Sequence, residues 1–111
     1  MNNESTIKKI EKFKEKKKTD KIVHYLKSED DEIVMEAMKA LSQVGDETSL
    51  NQIIPMIDHE KPVIRKAAAS ALGALGTEYA KTYLQHRMAK EQDAQVKEAI
   101  TEALHTISNK K

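Results

Sequence analysis

The sequence repeats itself about every 31 residues, and this repetition restricts the folds that the chain can adopt. Its clearest unit is the segment 62–76, PVIRKAAASALGALG, whose apolar residues follow the 3.6-residue period of an α-helix. The apolar residues of 33–45 align with this unit at a shift of 31, and those of 96–107 align with it at a shift of 32. Self-similarity at this period predicts helix pairs that stack into an array.

A shorter second helix repeats as well. The matching residues are Ile22, Val23 and Leu26 with Ile53, Ile54 and Ile57. The whole pattern predicts an all-α solenoid, and the chain has only three glycines and two prolines to interrupt its helices. We expect about seven antiparallel helices, near residues 4–17, 19–28, 31–44, 48–58, 62–75, 78–91 and 93–108. They form three and a half repeats in one domain covering residues 1–111, with approximate limits at 4–28, 31–58, 62–91 and 93–108.

Two positions depart from the repeat. Pro55 lies inside the fourth predicted helix and lacks a backbone N–H, so it should kink that helix or delay its start. Lys14 stands where the repeat otherwise has a glycine, which makes the first turn between helices irregular. The predicted core consists of the residues at the repeated apolar positions: Ile10, Phe13, Ile22, Leu26, Leu41, Val44, Ile53, Ile57, Leu72, Leu75, Leu84 and Ile107.

One segment carries the signature of a known family. In residues 45–76, Ile64-Arg65 is followed by the alanines 67–69 and by Ala71-Leu72-Gly73. This order resembles a HEAT repeat, specifically the short bacterial and archaeal kind that is similar to phycocyanobilin-lyase repeats. The resemblance implies a right-handed α-solenoid whose second helices line a concave side where partners bind. It also implies that Arg65 and Lys97 pair with acidic residues between repeats.

The second helices therefore supply the candidate binding residues. We expect a protein or peptide partner, because these positions hold tyrosine, histidine, arginine and glutamine, and aromatic residues and arginine are enriched at protein interfaces. Ordinary surface positions are the alternative interpretation. The predicted concave-face residues are Lys21, His24, Tyr25, Gln52, Met56, His59, Tyr83, His86 and Arg87.

A basic first helix supports an alternative function, the binding of a nucleic acid or another polyanion. The candidate residues are Lys8, Lys9, Lys12 and Lys16. Residues 1–27 carry nine lysines and four acids, a net charge of +5, whereas residues 28–60 carry one lysine and nine acids, a net charge of −8. The acidic block opposes a continuous phosphate track, and the chain lacks the aromatic-rich composition of a single-strand platform. A solvated cap for the array is the other interpretation of these lysines.

The last helix suggests self-association. Its apolar stripe is complete, and the fifth and sixth helices should bury part of it. No second helix follows to cover the rest, so Ile100, Leu104 and Ile107 could meet another copy of the protein in a homodimer. A ragged end without a partner is the alternative.

No reactive motif is present. The sequence contains no nucleophile elbow, HExxH motif or glycine-rich phosphate loop. We therefore predict no catalytic residue, metal site or cofactor, and we expect that the protein is not an enzyme. The four histidines and the acidic run 29–32 fit surface positions and a helix start. A role similar to that of bilin lyase chaperones rests on the family resemblance alone. No apolar run approaches a membrane span, and a cytoplasmic protein is expected.

Overall fold

The computed structural model describes residues 3–109. The two ends of the predicted domain, residues 1–2 and 110–111, lie outside the described residues. It confirms the predicted all-α solenoid. The first helix of each pair is long, and the second is shorter and in two cases ends as a 3-10 helix. The helices are α1 (Glu4–Glu15), α2 (Thr19–Val23, continued by a 3-10 helix at His24–Lys27), α3 (Asp31–Val44), α4 (Glu47–Ile53, continued by a 3-10 helix at Ile54–Asp58), α5 (Pro62–Leu75), α6 (Glu78–Met88) and α7 (Ala94–Ser108).

The helices form two layers, with α1, α3, α5 and α7 in one layer and the second helices in the other. Helix α5 lies at the centre and packs against both α3 and α7. A Cβ atom added to Gly73 would lie 3.0 Å from the Cα and Cβ of Ala103, so this glycine permits the close approach of α5 and α7. Eight of the twelve predicted core residues are buried. The other four are half-buried against the edge of the core: Phe13, Leu26, Val44 and Leu75.

The helix ends explain why these segments fold where they do. Asp30, Asp46 and Asp93 precede α3, α4 and α7, and each side chain accepts a hydrogen bond from a backbone N–H of the first turn. Gly45 and Gly76 end α3 and α5 in the left-handed conformation, with φ of 72° and 66°. The predicted limits of α3 and α5 are confirmed.

Pro55 does not delay the fourth helix, which begins at Glu47 and changes from α to 3-10 geometry at Ile54. The proline occupies the first turn of the 3-10 segment, directly after Ile54, whose N–H still donates to Leu50 O. The same change occurs one repeat earlier at His24, which aligns with Pro55 at a shift of 31, and it needs no proline there. The change of helix type is therefore a property of the repeat, and Pro55 fits a geometry that is already there.

The irregular first turn is confirmed, but its unusual residue is Lys17 rather than Lys14. Lys17 has a φ of 54° and is the one non-glycine residue with positive φ among those described. The N–H of Lys18 donates to Phe13 O at 2.8 Å and that of Lys17 donates to Lys14 O at 3.0 Å, which is a Schellman motif. The first turn therefore has a lysine in the left-handed conformation that glycine adopts at the ends of α3 and α5.

Lys17→Gly should raise the free energy of unfolding by about 0.5–1 kcal/mol, because relief of the left-handed strain exceeds the entropy that glycine adds to the unfolded chain. Urea denaturation measures the change. Lys16→Gly is the matched control: Lys16 has a φ of −91°, so this variant should be no more stable than the wild type. Equal stability of the two variants would contradict the assigned conformation.

Candidate functional site

The structure places the predicted concave-face residues together on the layer of second helices, which we call the second-helix face. Its exposed predicted members are Lys21, His24, Gln52, Tyr83 and His86, and its half-buried ones are Tyr25, Met56, His59 and Arg87. All three tyrosines of the chain and three of its four histidines lie on α2, α4, α6 or their 3-10 extensions and ends. Residue types that favour binding are therefore concentrated on one layer.

An exposed tyrosine pair dominates the α6 part of this face. Tyr79 and Tyr83 are 56% and 40% exposed, and Val63 is the one other large apolar side chain exposed to this degree among the described residues. Their rings meet edge to face with centroids 5.5 Å apart, and their hydroxyl oxygens are 3.3 Å apart. The hydrogen bond between the hydroxyls raises the pKa of Tyr79. Sequence reasoning missed Tyr79, although it precedes Tyr83 by four residues on the same helix.

Arg87 is less available for binding a partner than the sequence suggested. Its Nε donates to Glu91 Oε1 at 2.9 Å, and its Nη1 donates to Asp58 Oδ1 at 3.2 Å. The side chain is 16% exposed. The structure thus uses this guanidinium to tie α6 to the end of the preceding second helix.

Glu91 is the centre of this network. Its side chain is 0% exposed and accepts from Arg65 Nε and Nη2, each at 2.8 Å, from Arg87, and from the backbone N–H of Asp93 at 3.0 Å. The Arg65 hydrogen bonds are the main reason that the pKa of Glu91 falls to about 2, against the opposing effect of burial. Since all these hydrogen bonds to Glu91 come from groups of the same chain, we assign the network a role in holding the fold together.

Of the two residues that the family resemblance assigned to ion pairs, one forms the predicted pair and the other does not. Arg65 pairs with Glu91 as predicted, and its Nη1 also donates to the carbonyl oxygens of His59 and Glu60. Lys97 is exposed and has no carboxylate within 4.0 Å among residues 3–109, so the prediction is wrong for this residue. No second helix packs beyond α7 in the described part of the chain to bring one near.

The candidate lysines lie on α1 or directly after it, at one end of the stack, and all four are exposed. Lys9 occupies the repeat position of Ala40 and Ala71, which are 3% and 5% exposed where α3 and α5 stack on their predecessors. Within the described residues no carboxylate pairs with the candidate lysines, whereas Lys14 pairs with Glu11 at 2.9 Å. The predicted lysines are Lys8, Lys9, Lys12 and Lys16. Their arrangement is compatible both with an end cap and with an anion-binding surface.

The predicted self-association stripe is not available. Ile100 and Ile107 are 0% and 1% exposed because α5 and α6 cover them, and Leu104 is half-buried. The outer positions of α7 that correspond to the buried Ala69 and Gly73 are polar and exposed: Thr101 and His105. The expectation of an apolar dimer surface at Ile100 and Ile107 is therefore wrong, since a second copy cannot reach these side chains in the folded chain.

A pocket of about 420 Å³ opens at the other end of the second-helix face, between α1 and α2. We call it the aromatic pocket. Its lining residues are Phe13, Asp20, Lys21, His24 and Tyr25. The rings of His24 and Tyr25 meet nearly at right angles, with centroids 5.7 Å apart. The sequence named Lys21, His24 and Tyr25 as binding residues but did not indicate that Phe13 and Asp20 join them.

No three histidine or acidic side chains lie close enough together to hold a metal ion within residues 3–109. In the same part of the chain, every helix is too short or too polar to cross a bilayer.

Comparisons with known proteins agree with this geometry. The family model for HEAT repeats matches residues 19–105. A crystal structure of epoxyqueuosine reductase with a tRNA-Tyr epoxyqueuosine-modified tRNA stem loop is similar at 27% identity and a TM-score of 0.64, over 68% of this chain and 20% of that chain. Selenomethionine-labelled epoxyqueuosine reductase is similar at 28% identity and a TM-score of 0.63, with the same coverage. The chain thus spans about one fifth of the reductase. No curated protein matches it.

Proposed function

Because the chain belongs to the HEAT-repeat family, we propose that it is a non-catalytic interaction module that binds a protein or peptide across its second-helix face. HEAT repeats form scaffolds for interactions, and the second-helix face offers the side chains for one. The observation that carries the proposal is the exposed Tyr79–Tyr83 pair. Tyrosine is enriched at protein interfaces, where its ring supplies apolar contact and its hydroxyl a hydrogen bond.

The rest of the second-helix face is suited to the same purpose. His86 is exposed one turn beyond Tyr83, and Gln52 and Met56 lie on the neighbouring helix at the positions equivalent to Tyr83 and Arg87. This mixture provides apolar contact and hydrogen-bonding groups. Asp58 is already paired with Arg87, so it adds little charge repulsion against an acidic partner.

Replacing both tyrosines tests the proposal. Peptides selected from a random library on the wild-type protein should bind the Tyr79→Ser/Tyr83→Ser variant about 30-fold more weakly, because aromatic anchors carry much of the binding energy at such interfaces. Isothermal titration calorimetry measures the affinity. Lys39→Ser, an exposed change on the opposite layer, is the control and should leave the affinity unchanged. Peptides that bind the tyrosine variant as tightly as the wild type would contradict the proposal.

A second candidate function, nucleic-acid binding through the basic α1 end, is favoured by one specific observation. The reductase structure that this chain resembles was solved with a tRNA stem loop. The unpaired, exposed lysines of α1 supply the positive charge that phosphate binding requires. The salt dependence of oligonucleotide binding tests it, since phosphate contacts weaken steeply as salt rises.

A further inference from the structure

We infer that the aromatic pocket holds one unstacked base of a single-stranded nucleic acid, while the lysines of the adjacent turn hold the flanking phosphates. This inference rests on the second candidate function and gives it a site. It requires aromatic walls, cations beside them, and a polar group that meets the base.

The walls of the pocket provide stacking surfaces. Phe13, the single phenylalanine of the chain, comes from α1, whereas His24 and Tyr25 come from the 3-10 end of α2. Its volume of about 420 Å³ lies within the range of small-molecule sites. Bases stack on aromatic side chains in sequence-tolerant single-strand binding. A chain poor in aromatic residues thus concentrates two of its four phenylalanine and tyrosine side chains here.

The cations lie on the turn that joins the two helices of the pocket. Lys16, Lys17 and Lys18 form the turn between α1 and α2, and the backbone of Lys18 is hydrogen-bonded to Phe13 O at 2.8 Å. All three side chains are exposed and have no carboxylate partner among the described residues. Lys21 adds a fourth cation inside the pocket. This density of unpaired positive charge beside aromatic rings matches the chemistry of a phosphate backbone with protruding bases.

The conformation of Lys17 points the same way. The later turns of this kind place Gly45 and Gly76 in the left-handed region, where glycine is unstrained. The first turn keeps a lysine there in spite of the steric cost. A positive charge at this point of the turn is consistent with a role that glycine could not fill.

Asp20 gives the pocket a preference among bases. It is exposed at the pocket lining, and its carboxylate repels phosphates and peptide carboxylates alike, so a base rather than a backbone should lie beside it. The same oxygen atoms can accept hydrogen bonds from the amino group of cytosine, which uracil lacks. The pocket should therefore prefer oligo(C) to oligo(U).

The test is fluorescence anisotropy with labelled single-stranded oligo(C) and oligo(U) of about ten nucleotides, a length within the usual range of single-strand sites. His24→Ala/Tyr25→Leu should weaken oligo(C) binding about 5- to 150-fold, the effect of losing one stacked base, with an unchanged salt slope. Lys16→Gln/Lys17→Gln/Lys18→Gln should reduce the steepness of the fall of log K, the association constant, with log salt by about 2. Tyr79→Ser/Tyr83→Ser is the control and should bind as the wild type does. Circular dichroism melting shows whether each variant is folded.

The inference would be supported if the wild type binds oligo(C) more tightly than oligo(U). In the His24→Ala/Tyr25→Leu variant, both the affinity for oligo(C) and this preference should then be lost. A folded variant of this kind that binds as the wild type does would overturn the pocket while leaving charge-driven nucleic-acid binding in place. No binding of either oligonucleotide to the wild type at low salt would overturn both. An oligo-glutamate peptide that binds more tightly than oligo(C), with the same loss in the variant, would assign the pocket to an acidic peptide and overturn the inference.

Discussion

Glu91→Ala should destabilise the protein by about 3–5 kcal/mol, the cost of removing one partner from a buried ion pair. The substitution leaves Arg65, whose side chain is 12% exposed, without its bidentate partner, and removes one of the two carboxylates bound by Arg87. It also releases the turn before α7, because the N–H of Asp93 loses its acceptor. This loss is a large share of a total stability of roughly 5–15 kcal/mol.

Glu98→Ala is the matched control for this variant. Glu98 is an exposed glutamate on α7, so its removal should change the free energy of unfolding by less than about 0.5 kcal/mol. Urea denaturation of both variants at neutral pH measures the difference. A Glu91→Ala protein that is as stable as Glu98→Ala would show that the network contributes nothing to folding.

The same carboxylate makes stability depend on pH in a defined window. Glu91 has a pKa of about 2 in the folded chain against 4.5 for the ordinary glutamate, so the unfolded chain takes up a proton first as pH falls. Its contribution of about 3 kcal/mol is fully present above pH 4.5 and is lost as pH falls towards 2. In Glu91→Gln, the fall of stability over this range should be smaller than in the wild type by a similar amount.

Leu72→Ala should cost about 2–5 kcal/mol, because it removes a fully buried side chain from the central helix of the stack. Helix α5 packs on both α3 and α7, so a cavity here loosens two interfaces at once. Chemical denaturation with a two-state fit measures the change.

Leu104 provides the comparison, because it occupies the same repeat position on α7 and is half-buried. Leu104→Ala should cost less than half as much as Leu72→Ala, since less apolar surface is lost from the core. Equal losses at the two positions would mean that α7 is covered as fully as α5, contrary to the structure.

The fold could be predicted because its signals are local and repeated. An aspartate and a glycine bracket α3, and Pro62 and Gly76 bracket α5, so the limits of both helices follow from the sequence. The extent of burial of α7 could not be predicted in the same way. The sequence indicates that α5 and α6 bury part of its apolar stripe, but only the structure shows that Ile100 and Ile107 belong to the buried part.

The candidate site, too, could be predicted only in part. The repeat pattern predicted that Lys21, His24 and Tyr83 lie on one layer, because equivalent positions of stacked repeats share a face. It could not show that Glu91, a charged residue in a short link, would be fully buried, since that depends on two arginines from different helices. Nor could it show that Phe13 lines one pocket with His24 and Tyr25, because these residues come from different helices.

The most direct test of the central claim, that the second-helix face is the binding surface, is a titration followed by nuclear magnetic resonance. Isotope-labelled protein is titrated with a peptide selected on the wild type, and amide shifts are mapped onto the helices. We predict that the largest shifts fall within residues 19–28, 47–59 and 78–90. Largest shifts on the outer sides of α3 and α5, where a groove of about 580 Å³ is lined by Met35, Ala67 and their neighbours, would contradict the claim.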